Sequence, residues 1–480
     1  MSLLPLWTSR ELEKLYNVKT AITWNSYGVS IDSRSVVSGD LFFALSGPNF
    51  DGHEYVKSAL DNGAVCAVVN KKIKGTSADR LIIVDDVMDA LITLGKAGRG
   101  RVDAKIIAVT GSVGKTGTKE ALKAALSRHK KTHASVLSYN NEVGVPLSLA
   151  RMPYDVEYGI FEMGMNHSGE IAELVKLVRP DVAVITTVEL AHSEFFENIE
   201  QIADAKAEIF TAMNDGGIAI LNYDNSHFNR LKSKAKEAGV KKIISFGSSE
   251  LAEVRLLRHF FHDNCSCVIA DILGQVMSYK VGMLGYHWVM NSLAVLGTVN
   301  AVGADLGLAG LGLAELQPLS GRGRRDRIFF DISNENSFLV IDESYNANPA
   351  SMTAAIKTLE QCESPAFGRK FAVLSDMGEL GEQAVKLHRE LGSVLDNANV
   401  DQLFVVGKYM KDLADIVVNQ YPRINVNYFN DKKALERALL NDVNDGDIIM
   451  IKGSNTFKMS TTVKMLQKLN VYQDKKTISR

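Results

Sequence analysis

The most specific chemistry lies in Val109-Thr110-Gly111-Ser112-Val113-Gly114-Lys115-Thr116, set between an apolar strand-like run at residues 106–109 and a helical pattern through Lys130. Gly111 and Gly114, with Ser112 between them, let backbone N–H groups turn inward around phosphate oxygens. Lys115 would reach the terminal phosphates of a nucleoside triphosphate, and the Thr116 hydroxyl would ligate Mg2+. The string is the shorter form Gly-x-x-Gly-Lys-Thr, with Val109 where the full pattern has glycine. Its flanking strand and helix favour phosphate binding over a plain strand–helix turn.

Other candidates are less specific on their own. Glu162 ends the next strand-like run, where phosphate-loop ATPases place a metal carboxylate, although a solvated strand-end acid has the same appearance. His192 follows a strand at residues 182–187, and a lone histidine there is ordinarily a surface or satisfied one. Lys206 reads by default as a helix-face lysine, and Gly321-Arg322-Gly323-Arg324-Arg325 as a solvated basic run. His287 and Asn291 read as a helix cap and a core-facing amide.

The elements that must position these groups fall into three blocks, bounded at residues 1–84, 85–317 and 318–480. The first mixes strands at 40–45, 64–69 and 81–84 with a helix at 55–62. A helix at 86–97 then leads to Gly98-Arg99-Gly100-Arg101, which has the composition of a linker. In the second block, apolar strands at 106–109, 159–162, 182–186 and 218–222 alternate with helical patterns, predicting a mostly parallel sheet with crossover helices. A helix at 291–302 closes it. The third block repeats the pattern with strands at 338–342, 371–375, 402–406 and 447–452, a second open, Rossmann-like sheet. The expected class is therefore α/β in three domains, with the site in a cleft between the last two.

Composition narrows the function. With 54 Lys+Arg against 56 Asp+Glu in 480 residues, no basic field points to nucleic acid. Residues 3–7 are too short for a signal-peptide core, and Thr8 with Glu11 has capping-box spacing for a helix start. No stretch approaches a membrane span. The four cysteines are scattered, and Cys265 and Cys267 are expected as a buried reduced pair, in keeping with a reducing cytoplasm. No hydrophobic seam forces a dimer, so a monomer is expected.

Taken together, these positions give the chain a resemblance, over nearly its whole length, to the Mur ligase family of peptidoglycan synthesis. The first block's Asp32-Ser33-Arg34, residues 39–47 and Asp51-Gly52-His53 are similar to the family's UDP-sugar-binding domain. The second adds Asn140-Asn141 before Glu142-Val143-Gly144-Val145-Pro146, then Glu162-Met163-Gly164 and Ala205-Lys206. The third adds Asp342-Glu343-Ser344-Tyr345-Asn346-Ala347-Asn348-Pro349, Leu374-Ser375-Asp376-Met377 and Lys452-Gly453-Ser454. The Asp342–Pro349 string resembles the version carried by the member that adds a dipeptide. Val113, Thr187, Glu343, Gly378 and Asn455-Thr456-Phe457 depart from the family pattern, touching fine substrate contacts only.

The resemblance implies roles. Thr116, Glu162 and His192 would ligate Mg2+, and Lys206 would be carbamylated to hold a second ion. His287 and Asn291 would face the nucleotide. Arg322, with Arg324 as the alternative, would reach the ATP γ-phosphate, and Asp342, Tyr345, Asn346 and Asn348 would order ATP and the incoming dipeptide. Ser33, Arg34, Gly47, Asp51, His53, Asn140 and Asn141 would bind the UDP-linked substrate. The implied reaction joins D-alanyl-D-alanine to a UDP-N-acetylmuramoyl-tripeptide in the bacterial cytoplasm through an acyl phosphate. Closure of the third domain over the second would exclude water. A sister ligase adding a single amino acid, a folate- or cyanophycin-type ligase, or a nucleotide switch without ligation are the competing readings.

Overall fold

The computed structural model describes residues 4–190, 194–262, 264–330 and 336–470. His192 therefore lies outside the described residues. Three larger sheets carry the chain. The first is four-stranded and wholly parallel, in the order Gly28–Ser30, Asp40–Phe43, Cys66–Val69, Leu81–Ile83. Ahead of it, the helix Ser9–Tyr16 starts as its sequence predicts, with the Thr8 and Glu11 side chains capping each other's backbone N–H.

The helix Val87–Gly100 corrects one expectation. Residues 98–100 do not form a linker but complete this helix, with Arg101 as its cap. Small size at Gly95 and Gly98 allows close approach, because a Cβ at Gly95 would lie 2.8 Å from the Pro146 carbonyl oxygen and one at Gly98 would collide with that of Leu149. Arg99 is buried and donates to the carbonyls of Val178 (2.7 Å) and Arg179 (3.0 Å). The glycines thus mark helix packing, which composition alone cannot distinguish from a flexible joint.

The central sheet has nine strands. Its parallel part runs in the order Thr132–Ala134, Tyr158–Glu162, Lys105–Thr110, Val182–Ile185, Ile218–Asn222, Lys242–Gly247, Val254–His262. Cys265–Ile272 and Gln275–Val281 extend it antiparallel. Ile106, Ile107, Ala108 and Val109 are fully buried. Each large aliphatic side chain so placed contributes about 1.5–3 kcal/mol, which holds this strand at the sheet centre. The chain first builds strands on one side of it and then crosses to the other, so the crevice beyond its carboxyl end lies at a switch point. Cys265 and Cys267 alternate with buried Ser266 and Val268, and both are half-buried and free, not the buried pair expected.

The third sheet, Rossmann-like as expected, is six-stranded. Arg324–Phe329 pairs antiparallel with Ser337–Glu343, followed in parallel by Ile448–Lys452, Lys370–Ser375, Gln402–Val406 and Asn425–Phe429. The short polar edge strands escaped the sequence reading because they lack a continuous apolar run. Among the described residues, no helix is long and apolar enough to cross a membrane.

Candidate active site

The central strand Lys105–Thr110 ends in the glycine loop, which feeds the helix Lys115–Ser127. Gly114 caps this helix at φ 85°, a left-handed conformation that suits glycine, and the Asn291 side chain lies against it. Neighbouring strands brace the loop. Ser112 N–H donates to the Thr187 carbonyl (2.9 Å), and its hydroxyl donates to that of Glu189 (2.8 Å). Thr186 Oγ1 donates to the Val113 carbonyl at 2.5 Å. Both donors of Ser112 are thus committed to the neighbouring segment at residues 187–189.

Lys115 Nζ folds back onto the Gly111 carbonyl at 2.5 Å. Burial lowers its pKa, with Glu162 opposing that shift and Arg322 adding to it. Thr116 is buried in the first helical turn. Its Oγ1 lies 3.2 Å from the hydroxyl of Ser138, a residue that no sequence pattern singles out.

Glu162 ends the strand Tyr158–Glu162, in register with Val109. It is buried, and Asn140 Nδ2 donates to its Oε1 at 2.6 Å. Its Oε2 is buried without a hydrogen-bond partner. Such an orphaned oxygen is costly unless a cation or water satisfies it. Asn141 is used differently: its Oδ1 accepts from Gly144 N–H (3.0 Å).

Lys206 sits in the helix Ile199–Ala207 and is buried. Desolvation, reinforced by Lys115, pushes its pKa well below the usual lysine value. Among the described residues there is no cluster of three His, Cys, Asp or Glu side chains that could hold a metal. Thr116, Glu162 and Lys206 are the described members of the expected set.

The third sheet supplies the opposite wall. Arg322 lies with its guanidinium 4.0 Å from the Tyr345 ring centre, and its Nη2 donates to Ser138 Oγ at 3.1 Å. The alternative, Arg324, is instead turned to Asp326 (2.9 Å). Asp342 is buried and committed locally: Gly321 N–H (2.7 Å) donates to Oδ2, and Ser344 N–H (3.2 Å) and Oγ (2.5 Å) donate to Oδ1. It holds the turn from which Arg322 projects. Asn348 caps the helix Pro349–Glu360, its Oδ1 accepting from Ser351 N–H (2.8 Å). Asn346 Oδ1 accepts from Asn455 N–H (3.3 Å), and its carbonyl accepts from Lys452 Nζ (2.9 Å).

His287 lies in the first turn of the helix Tyr286–Ala301, with Asn291 one turn on. Burial, and the charge of Lys452, bring its pKa down to about 4. Lys452 also lies 3.6 Å from Glu343 Oε2. Burial raises the Glu343 pKa against the opposing pull of this lysine.

In the first sheet's loops, Asp51 accepts from Lys71 Nζ (2.9 Å), His53 N–H (3.0 Å) and the Ser46 hydroxyl (2.9 Å), which hold its carboxyl well below the usual carboxylate range. Its contact with His53 Nδ1 is 2.5 Å, while His53 Nε2 accepts from Asn70 N–H (3.2 Å). These two bonds place the histidine proton on Nδ1. Arg34 is exposed and paired with Asp32 (2.7 Å). Ser33 is buried, and Gly47 lies beneath the Phe50 ring.

Three segments match known domains: residues 25–99 the Mur ligase family catalytic domain, 109–299 the Mur ligase middle domain, and 329–455 the Mur ligase glutamate ligase domain. A Rickettsia prowazekii UDP-N-acetylmuramoyl-tripeptide–D-alanyl-D-alanine ligase is 34% identical over 96% of this chain and 100% of its own length. The chain belongs to the Mur ligase family. Among solved Mur ligase structures, MurF from Acinetobacter baumannii is similar at 29% identity and a TM-score of 0.82, covering 98% of this chain and all of its own. MurF ligase from Thermotoga maritima, solved in complex with ADP, is similar at 27% identity and a TM-score of 0.75, covering 92% of this chain and 98% of its own. As a Mur ligase the chain is an ATP-dependent enzyme, and the glycine loop is the part of its sequence suited to the nucleotide.

Proposed function

We propose that this Mur ligase joins D-alanyl-D-alanine to the terminal carboxylate of a UDP-N-acetylmuramoyl-tripeptide in the bacterial cytoplasm, at the expense of ATP. Residues 1–84 hold the UDP-linked substrate, 85–317 the nucleotide, and 318–480 the wall that completes the cleft. The helix Val87–Gly100 joins the first two, packing on both. The observation that carries this reading is that Arg322, from the turn leading into the third sheet, reaches Ser138 (3.1 Å), whose hydroxyl lies 3.2 Å from Thr116 in the phosphate-loop helix.

Lys115 offsets charge on the transferring phosphate, and Arg322 reaches the γ-phosphate from the facing sheet. The substrate carboxylate attacks that phosphorus, giving an acyl phosphate and ADP. The dipeptide amine then attacks the acyl carbon, expelling phosphate and forming the amide. His287 and Asn291 border the nucleotide, and Tyr345, Asn346 and Asn348 the incoming dipeptide. The wall carrying Arg322, Asp342 and Tyr345 limits water, which would otherwise hydrolyse the acyl phosphate.

The residues present fit Mg2+. The unpaired Glu162 Oε2 and the buried Thr116 hydroxyl provide hard oxygen donors, and His192 completes the set proposed for one ion. A second ion would be held by Lys206 as its carbamate. Burial favours the neutral amine, the form that reacts with CO2, and the carbamate changes the group from cation to anion. Bound Mg2+ would supply charge neutralisation on the phosphates.

ADP release tests the reading. It should require the muramoyl tripeptide and D-alanyl-D-alanine together, and single amino acids should not replace the dipeptide.

A further inference from the structure

We infer that Ser138 is a positioning residue that sets Arg322 against the phosphate loop. The inference rests on reading Arg322 as the group that meets the γ-phosphate. Ser138 Oγ lies 3.1 Å from Arg322 Nη2 and 3.2 Å from Thr116 Oγ1. A guanidinium has no acceptor, so the arginine donates and the serine oxygen accepts. The serine oxygen keeps a second lone pair and its own proton, so either hydroxyl can donate in the Ser138–Thr116 contact. One hydroxyl therefore links the third sheet to the first turn of the phosphate-binding helix.

The other restraints on Arg322 leave its reach unset. Gly321 N–H on Asp342 fixes the backbone turn, and the Tyr345 ring fixes the plane across which the guanidinium lies. Ser138 is the contact that sets how far the charge extends towards Lys115.

Ser138 itself is held from below. Lys119 is fully buried, one turn beyond Lys115 on the same helix. Its Nζ donates to the carbonyls of Ser135 (2.7 Å) and Leu137 (2.6 Å) and pairs with Glu120 (2.6 Å). Leu137 has φ 51°, a left-handed conformation that a leucine keeps only when its surroundings enforce it. The phosphate-loop helix thus carries both the lysine proposed to bind phosphate and the lysine that locks the Ser138 segment.

The test compares Ser138→Ala, Ser138→Thr, Arg322→Ala and the double variant Ser138→Ala/Arg322→Ala. Three quantities are measured: kcat and KM in the two-substrate assay, melting temperature, and calorimetric affinities for ADP and a non-hydrolysable ATP analogue. For a charge-assisted hydrogen bond, Ser138→Ala should lower kcat by about tenfold. KM for the UDP-linked substrate and the melting temperature should hold, while analogue affinity falls relative to that for ADP. Ser138→Thr should recover most of the loss, and the double variant should be no slower than Arg322→Ala. A wild-type kcat and analogue-to-ADP ratio in Ser138→Ala, with Arg322→Ala impaired, would overturn the inference alone. So would losses that multiply in the double variant. If Arg322→Ala itself leaves both quantities unchanged, the role given to Arg322 fails, and the inference with it.

Discussion

Asn140 Nδ2 donates to Glu162 Oε1 at 2.6 Å, while Oε2 of the same buried carboxylate meets no partner. The amide fixes the carboxylate's orientation and leaves one oxygen for a cation. Glu162→Gln should therefore raise the Mg2+ concentration for half-maximal activity by about 10–100-fold, the range expected for a weakened metal site. A Mg2+ titration of ADP release checks this, and an unchanged midpoint would remove Glu162 from the metal site.

Lys206 is buried, and the nearby charge of Lys115 adds to the desolvation that lowers its pKa. Lys206→Ala should lose activity by at least about tenfold, as for loss of a charged group at a phosphoryl-transfer site. Added formate or acetate should restore part of it by standing in for the carbamate. Undiminished activity, or a loss that no short carboxylate relieves, would count against carbamylation.

Lys115→Ala should abolish ATP turnover, by about 100-fold or more, since it removes a charge aimed at the transferring phosphate. Binding of the UDP-linked substrate, measured by calorimetry, should change little because the first sheet lies outside the phosphate loop. Equal loss of both would indicate misfolding.

His287 has its pKa lowered from 6.5 to about 4, chiefly by burial. The folded state then resists a proton that the unfolded chain takes up below pH 6.5. Its contribution to stability is intact above pH 6.5 and is lost progressively as pH falls towards 4. His287→Asn should accordingly reduce the drop in melting temperature between pH 6.5 and 4. An unchanged drop would show that His287 is not the group responsible.

The phosphate loop was legible because its spacing is local: strand, glycines, lysine and helix are contiguous, and residues 111–114 join the strand Lys105–Thr110 directly to the helix Lys115–Ser127. The buried strands were legible from their apolar runs. Ser138 was not, since its partners Thr116 and Arg322 are 22 and 184 residues away and a serine has no distinctive pattern. Asp342 was visible in the sequence, but its inward hold on Gly321 depends on a turn no motif specifies. Asp51 and His53 likewise were singled out only through the family resemblance, whereas their bonds to each other, Ser46, Lys71 and Asn70 require the folded loops. The different surroundings of Arg322 and Arg324 were likewise invisible in the sequence: one reaches Ser138 and the other Asp326.

The central claim is tested most directly by ADP release under four conditions: neither acceptor, UDP-N-acetylmuramoyl-tripeptide alone, D-alanyl-D-alanine alone, and both. The tripeptide should be supplied in both its diaminopimelate and lysine forms. Sustained release only with both substrates, accompanied by a UDP-linked pentapeptide product, is the predicted result. Release that ignores the dipeptide, or that a single amino acid supports equally well, would contradict the assignment.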